Sequence, residues 1–317
     1  MSLPGAAWLA KKLILGCCPP FSQRPLPVHH LICLDREPQS LLNLTVFSSL
    51  LPLYSIAGCD YQVAFLYDYP SELPAQAALP CYLVFSQWVV FLSQNADIAL
   101  ACFDWNTVYS FRERFASLER QAESLEVSPC PELSFLYEES PSKPILISSR
   151  PFFSLSAPAA KSKEAAPRPL YFFTRRGLAG FCQDGVPFRF PGVFPPQAAL
   201  KPIPLPRRLG LLKELWNDLA QEPARCFMLR SELFSLADGF CCCFNSRRGA
   251  QFSFFPDLSG PARTVRLPEG SLWDALEDFF SYLPGSPLAC SRQEALLAIQ
   301  EEARQLGKRV PQETNGF

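Results

Sequence analysis

A proline-rich stretch near the middle of the chain is the feature that most limits how these 317 residues can fold. Residues 139–169 contain Ser-Pro-Ser-Lys-Pro and, further on, a run of Ala, Pro and Lys residues. Segments of this composition behave as extended spacers because they have no periodic apolar face to bury. The stretch therefore predicts two lobes, residues 28–138 and 170–307, joined by a linker in which residues 145–147 form one short strand.

The segments outside the two lobes are expected to be short additions. Residues 1–27 form an N-terminal segment, and residues 308–317 form a tail. Lys11 and Lys12 interrupt the apolar stretch near the start, which leaves it too short for a signal peptide. No window has the ~18 consecutive apolar residues of a membrane-spanning helix. We therefore expect no association with a membrane.

Two kinds of apolar periodicity occur in the first lobe. Apolar and polar residues alternate at residues 61–68 and 96–103, as in strands with one buried face. Residues 108–125 instead repeat apolar side chains at every third or fourth position. This spacing predicts an amphipathic helix, with Asp104 or Asn106 as its N-cap. Together the two patterns are typical of an α+β fold.

The second lobe shows the same mixture of patterns. Helices are expected at residues 212–219, after Ser271, and after Ser291, where Glu294 completes a capping-box pattern. Strands are expected at residues 226–230, 239–245, 251–255 and 264–267. The sequence thus predicts an α+β protein of two lobes, each a small, mainly antiparallel sheet flanked by amphipathic helices.

Charge and cysteine usage restrict the partners and the compartment. The chain carries 29 basic and 30 acidic residues, so it lacks the basic excess by which nucleic-acid binders neutralise phosphates. We therefore expect no direct nucleic-acid binding. Its 13 cysteines are an odd number without framework spacing, and most lie in apolar runs. Such thiols behave as small buried apolar groups and persist in a reducing compartment, which favours the cytoplasm.

The motifs that would carry catalysis or cofactor binding do not occur. The sequence has no phosphate-binding glycine loop, no dinucleotide-binding fingerprint and no nucleophile elbow. His29 and His30, the only two histidines, point to opposite faces if they lie on a strand, so they cannot share a metal or act as a pair. We expect no catalytic residues and no cofactor.

Cys241, Cys242 and Cys243 form the densest group of potential metal ligands. On a strand, Cys241 and Cys243 share one face and could offer two thiolates to a soft metal. Structural zinc sites need four ligands, usually arranged as paired C-x-x-C knuckles, and this sequence has none. The flanking Phe240 and Phe244 indicate a buried strand. We therefore expect no metal site.

Pairs of arginines are the remaining candidates for binding. Arg247 and Arg248 precede a glycine in an expected hairpin turn, where they could hold an anionic ligand or an acidic partner. The alternative is that they are charges that keep a turn soluble, as in many proteins. The pairs at residues 175–176 and 207–208 also lie beside Gly or Pro and are open to the same two interpretations.

Five stretches occur in a characteristic order: Asp60-Tyr61-Gln62-Val63, Phe91-Leu92-Ser93, residues 108–115, residues 171–181 and residues 272–280. In this order they resemble the long C-terminal regions of helix-turn-helix transcription regulators from Firmicutes bacteria. The resemblance spans about residues 28–306 and implies a bacterial, cytoplasmic, non-catalytic sensing or regulatory module. It supplies no ligand-contacting residues. Residues 1–27 are too few for the helix-turn-helix, so the resemblance implies an effector region without its DNA-binding part.

Three functional hypotheses remain open. The first is a regulatory or ligand-sensing module that binds a small molecule or a protein, and it requires a pocket or a binding surface. The second is an enzyme with a site assembled from scattered residues, which requires titratable side chains that meet in a cleft. The third is a scaffold that forms homodimers through an amphipathic helix such as residues 106–125, and it requires an exposed apolar patch.

Overall fold

The chain divides into two compact units. One comprises residues 1–127 with 274–276, and the other residues 128–273 with 277–317. The computed structural model describes residues 25–35, 42–56, 58–68, 81–93, 97–128, 143–153, 170–188, 202–221, 225–231, 236–256, 262–267 and 272–309. Most of the expected N-terminal segment, of the expected tail and of the expected linker lies outside these ranges. The predicted α+β class is confirmed.

The first sheet of the first unit is built around two long parallel strands. Strand β1 (Leu26–Asp35) pairs in parallel with β2 (Cys59–Asp68), and β2 pairs antiparallel with the two-residue strand β6 (Glu123–Ser124). The helix α1 (Leu42–Leu50) connects β1 to β2 and continues into a 3₁₀ turn (Leu51–Ser55) that contains a proline. A parallel pair needs such a crossover, and its helix covers one face of the sheet.

The second sheet of the first unit is a three-stranded antiparallel meander. Strands β3 (Cys81–Val84), β4 (Val89–Leu92) and β5 (Ala99–Cys102) are adjacent in this order, so β5 is an edge strand. Helix α2 (Trp105–Glu119) follows directly and packs on β3 and β4. The carboxylate of Asp104 accepts a hydrogen bond from the Thr107 amide at 2.8 Å, so of the two expected candidates Asp104 is the N-cap.

Helix α2 is shorter than the apolar spacing predicts. It ends at Glu119, and Ala122 and Leu125 lie beyond it. The amide of Leu125 donates a 3.0 Å hydrogen bond to the carbonyl of Val63, beside β6. The backbone after α2 therefore pairs with β2 instead of continuing the helix, because a sheet edge is available there to satisfy its polar groups.

The second unit is organised by a mixed seven-stranded sheet with the order β10-β9-β8-β11-β12-β13-β7. Its strands are β7 (Val127–Ser128), β8 (Ile145–Ser148), β9 (Leu170–Thr174), β10 (Cys226–Leu229), β11 (Phe240–Asn245), β12 (Gly249–Phe254) and β13 (Arg263–Leu267). Strands β8, β9 and β10 are parallel to one another, whereas β8, β11, β12 and β13 pair antiparallel. Strand β7 is the segment at which the chain passes between the two units.

Strand β8 differs from the expected role of its segment. The sequence predicts that residues 145–147 are a short strand within a linker. The strand forms, but it lies between β9 and β11, and all four of its residues are buried. Short apolar runs flanked by prolines occur both in spacers and in interior strands, and here the neighbouring strands decide the outcome.

Four helices accompany the sheet: α3 (Arg175–Asp184), α4 (Leu205–Gln221), α5 (Leu272–Tyr282) and α6 (Arg292–Gly307). Helices α3, α4 and α6 form one core cluster with β9 and β10, which includes Phe173, Phe181 and Met228. The capping box at Ser291 and Glu294 is confirmed. No helix in the described ranges is long and apolar enough to cross a membrane.

Candidate functional site

A group of large apolar side chains on the first unit is exposed to solvent. It comprises Ile98, Leu100, Phe103, Trp105 and Tyr109, each between 56 and 71 % exposed. They lie on β5, beside its two ends, and in the first two turns of α2. We call these five residues the β5–α2 surface. A cluster of exposed large apolar side chains in a folded protein is typical of an interaction site.

The β5–α2 surface is exposed because α2 uses a different side to cover its sheet. The ring of Phe111 contacts the rings of Tyr82 and Phe91, with centroids 4.9 and 4.8 Å apart. Trp105 and Tyr109 are four residues apart and share another side of the helix. Of the apolar stripe in residues 106–125, Val108 is buried and Phe111 packs on the sheet of the same unit. The exposed apolar side chains of α2, Trp105 and Tyr109, do not belong to this stripe.

A stack of aromatic rings supports one end of this surface. Phe85 and Trp88 are stacked with nearly parallel rings, with centroids 4.0 Å apart and an angle of 6° between the ring planes. Trp88 in turn lies 6.2 Å from Phe103 at an angle of 21°. The amide of Phe85 donates to the carbonyl of Trp88 at 2.9 Å and closes the β3–β4 turn. The most exposed ring of the surface, Phe103, is therefore held by packed neighbours.

Two carboxylates border the surface. Asp97 accepts a hydrogen bond from the Ser93 hydroxyl, and this bond lowers its pKa. At the other end of β5, the hydrogen bond from the Thr107 amide lowers the pKa of Asp104. Both groups are therefore ionised at neutral pH. The apolar strand lies between two fixed negative charges.

The two histidines have separate partners. Their expected placement on opposite faces of a strand is confirmed, because both lie on β1. His29 is exposed and contacts a carboxylate oxygen of Glu119 at 2.8 Å. The Nδ1 atom of His30 lies 2.6 Å from the hydroxyl of Tyr61. Burial lowers the pKa of His30 to about 4 and raises that of Tyr61, so at neutral pH this hydrogen bond joins a neutral imidazole and a protonated hydroxyl.

The three consecutive cysteines are packed inside the second unit. Cys241 and Cys243 belong to one cluster with Phe188 and Phe255, which confirms that they share a face of β11. Burial raises the pKa of Cys241 and Cys242 well above the ordinary thiol value, so both remain protonated. In the part of the chain that the structure describes, no three His, Cys, Asp or Glu side chains are arranged to hold a metal ion.

Arg247 and Arg248 occupy the expected turn between β11 and β12. The amide of Arg248 donates to the carbonyl of Asn245 at 2.9 Å, and the amide of Arg247 donates to the Asn245 side chain at 2.9 Å. Both arginines are exposed. The predicted hairpin is thus confirmed. The binding role of these two arginines stays a prediction.

A buried arginine that the sequence does not single out lies at the end of β8. The side chain of Arg150 is only 8 % exposed. Its Nε and Nη2 atoms donate to the two carboxylate oxygens of Asp238 at 2.8 and 2.7 Å. Its Nη1 atom donates to both oxygens of Asp184 at 2.7 Å and to the carbonyl of Val186 at 2.9 Å. All three nitrogens of the guanidinium are therefore engaged within the unit.

The arrangement around Arg150 connects three separate parts of the chain. Burial lowers the pKa of the guanidinium, but its hydrogen bonds with Asp238 and Asp184 outweigh this effect and leave the pKa raised. Each aspartate precedes a glycine with a positive φ angle, 75° at Gly185 and 88° at Gly239. The two Asp-Gly dipeptides are a signal that could have indicated these turns from sequence. No short sequence pattern indicates that these two turns contact Arg150, because the aspartates are 34 and 88 residues away from it in the sequence.

Arg208, from another of the arginine pairs, has a structural role. Its guanidinium donates to the carbonyl oxygens of Cys182, Gln183 and Asp184 at 3.1 to 3.3 Å. These carbonyls lie in the last turn of α3, where no further turn of helix can accept their hydrogen bonds. A cation at this end also interacts favourably with the helix dipole. Arg208 is therefore a C-terminal cap supplied by a neighbouring helix.

Comparison of the chain with protein-family models, with curated proteins and with solved structures finds no match. The resemblance to regulators of Firmicutes bacteria stays a prediction. What the fold defines is a class, an α+β protein with an exposed aromatic edge on its first unit.

Proposed function

We propose that this chain is a non-enzymatic regulatory module that acts by binding a protein partner through the β5–α2 surface. The observation that carries the proposal is the exposure of five large apolar side chains around one edge strand. Of the two kinds of partner expected from the sequence, a small molecule or a protein, this surface favours a protein. Aromatic side chains on an exposed face are typical of the energetic centre of protein interfaces.

The geometry of the titratable groups supports binding over catalysis. His30 is neutral at neutral pH and bonded to Tyr61, and both Cys241 and Cys242 have strongly raised pKa values. The guanidinium of Arg150 is fully engaged with Asp184, Asp238 and a carbonyl. We propose that the neutral imidazole, the protonated thiols and the paired guanidinium have structural roles in the fold and no catalytic role.

Site-specific photo-crosslinking in the native host tests the proposal. A benzophenone amino acid placed at Tyr109 should give a crosslinked product of defined mass, whose second protein is identified by mass spectrometry. The matched control is the same amino acid at Leu297, which is 56 % exposed on the second unit, as Tyr109 is on the first. Products that are equal at the two positions, or missing at Tyr109, would contradict the proposal.

A substitution at the centre of the β5–α2 surface should weaken binding of the partner by a predictable factor. Phe103→Asp removes an exposed ring and adds a charge between two carboxylates. Central aromatic residues of interfaces contribute at least about 2 kcal/mol, so affinity for the crosslinked protein should decrease by about 30-fold or more. Because Phe103 is 71 % exposed, the free energy of unfolding should change little. Binding would be measured by calorimetry and unfolding by urea titration.

A further inference from the structure

We infer that a second copy of this chain binds the β5–α2 surface by pairing its own β5 antiparallel with the first, so that one sheet continues through both copies. The inference deepens the proposed function, because it names the partner at the same surface. Three observations support the inference: the backbone edge of β5 that no described strand pairs with, the apolar composition of this strand, and its ability to pair antiparallel with the same strand of a second copy.

The backbone of β5 has an outer edge with a defined set of polar groups. The Ser93 amide donates to the Ile98 carbonyl at 3.0 Å, which fixes Ile98 as bonded toward β4. Bonded positions alternate along an antiparallel strand, so Leu100 and Cys102, opposite Phe91 and Val89, also bond toward β4. The N–H and C=O groups of Ala99 and Ala101 therefore point away from β4. In the described ranges no strand pairs with that edge.

The residues of this edge include no charged side chain and no proline. Edge strands are commonly protected by such residues, by being very short, by β-bulges or by a covering segment. Residues 98–103 are Ile, Ala, Leu, Ala, Cys and Phe, and the three residues from Ala99 to Ala101 are all exposed. A strand of this composition is expected to be paired in the functional state.

The strand is complementary to a reversed copy of itself. A two-fold axis at Ala101 places the outward groups of Ala101 opposite those of Ala101 in the second copy. The small side chain of Ala99 then lies opposite Phe103 of the second copy, and Leu100 lies opposite Cys102. Asp104 lies opposite Ile98 of the second copy, and Asp97 lies beyond the paired residues because Trp105 already begins α2, and so the two border carboxylates do not oppose each other. Like charges opposite one another would disfavour the pairing.

The expected contact area places the dimer among weaker assemblies. A fully buried aromatic side chain contributes about 150–250 Å², and the three aromatic residues of the surface are more than half exposed. With Ile98 and Leu100, each copy would bury on the order of several hundred Å², near the lower limit for stable interfaces. The dimer should therefore dissociate on dilution. Its mass should be followed over a range of concentrations.

Sedimentation equilibrium with charge variants at Ala101 tests the inference on the full chain. The wild type should shift from monomer to dimer as concentration increases. Both A101K and A101E place like charges together at the two-fold axis and should weaken dimerisation by at least about tenfold. An equimolar mixture of A101K and A101E should restore dimers, because the charges then attract. The control variant L297K should dimerise like the wild type.

Each result supports or overturns the inference. Ala101 is exposed and its polar groups point outward, so circular dichroism of the variants should match the wild type. A wild type that stays monomeric, a dimer that A101K does not weaken, or a mixture that stays monomeric would overturn the inference. If the wild type is monomeric while a crosslinker at Tyr109 captures another protein, only the second-copy inference fails. If Tyr109 captures nothing as well, the proposed function also fails.

Discussion

The two units protect their sheets in different ways. In the second unit, every residue of β8, β11 and β12 is buried. In the first unit, three of the four residues of β5 are exposed, and large apolar side chains lie at both ends of the strand. One unit therefore buries its central strands with its own helices and strands, whereas the other leaves an edge that its own described residues do not cover.

This difference indicates where stability and recognition are located. Buried strands surrounded by close contacts contribute most of a domain's stability, while exposed edges contribute to association. Arg150 and the glycines that approach the backbone closely are in the second unit, and the exposed aromatic residues are in the first.

Gly177 should not tolerate a side chain larger than hydrogen. A Cβ atom at this position would lie 1.8 Å from the carbonyl oxygen of Ser149, so Gly177→Ala requires helix α3 to move away from β8. We expect a loss of more than about 3 kcal/mol in the free energy of unfolding, measured by urea titration. The control is Gly210→Ala in α4, where the nearest atom is 3.8 Å away.

The control should change stability in the opposite direction. Alanine has a higher helix propensity than glycine, so Gly210→Ala should stabilise by about 0.5–1 kcal/mol. Equal effects at the two glycines would mean that the close contact between α3 and β8 does not hold the second unit together.

Arg150→Met should give the next largest effect. Methionine keeps much of the apolar stem but removes the hydrogen bonds to Asp184, Asp238 and Val186. Both carboxylates are partly exposed and can be hydrated, so we expect a loss of about 2–3 kcal/mol. Arg247→Met, at an exposed turn position, should change the free energy of unfolding by less than about 0.5 kcal/mol. Similar losses for both variants would argue against a stabilising role for the Arg150 cluster.

The first unit should be sensitive to acid through His30. The unfolded chain binds a proton at this ring near pH 6.5, whereas the folded chain binds it only near pH 4 because the ring is buried. The free energy of unfolding should therefore decrease by about 3 kcal/mol in total, most of it as the pH falls from 6.5 to 4, and level off once the folded ring is also protonated below pH 4.

Urea titrations of the wild type and of His30→Gln across this range would measure the contribution of His30 as the difference between them. The variant should lack this part of the pH dependence. Parallel pH profiles for the two proteins would show that His30 is not the group responsible.

Local signals in the sequence predicted the elements whose ends are capped by their own residues. Asp104 begins α2 and Ser291 begins α6 as expected, because the capping hydrogen bonds join residues three apart. The hairpin at Arg247 and Arg248 was predictable for the same reason. In these cases the residues that determine the structure are neighbours in the chain.

The features that sequence patterns do not predict depend on distant residues. Gly177 and Gly180 reduce the helix propensity of residues 175–184, and yet α3 forms there because Gly177 allows close packing on Ser149. The Arg150 cluster joins residues 34 and 88 positions apart. The exposed side of α2 is likewise decided by which face packs on β3 and β4, and an amphipathic pattern does not specify this.

The reactivity of the buried cysteines should report local unfolding of the second unit. Thiol reagents attack the thiolate, and burial raises the pKa of Cys226 to about 12 and that of Cys242 well above 9. In the folded chain these thiols are therefore almost inert to alkylation at neutral pH. The rate at which a maleimide modifies them would report how often their strands separate, so the native cysteines can serve as internal reporters of local unfolding without an added label.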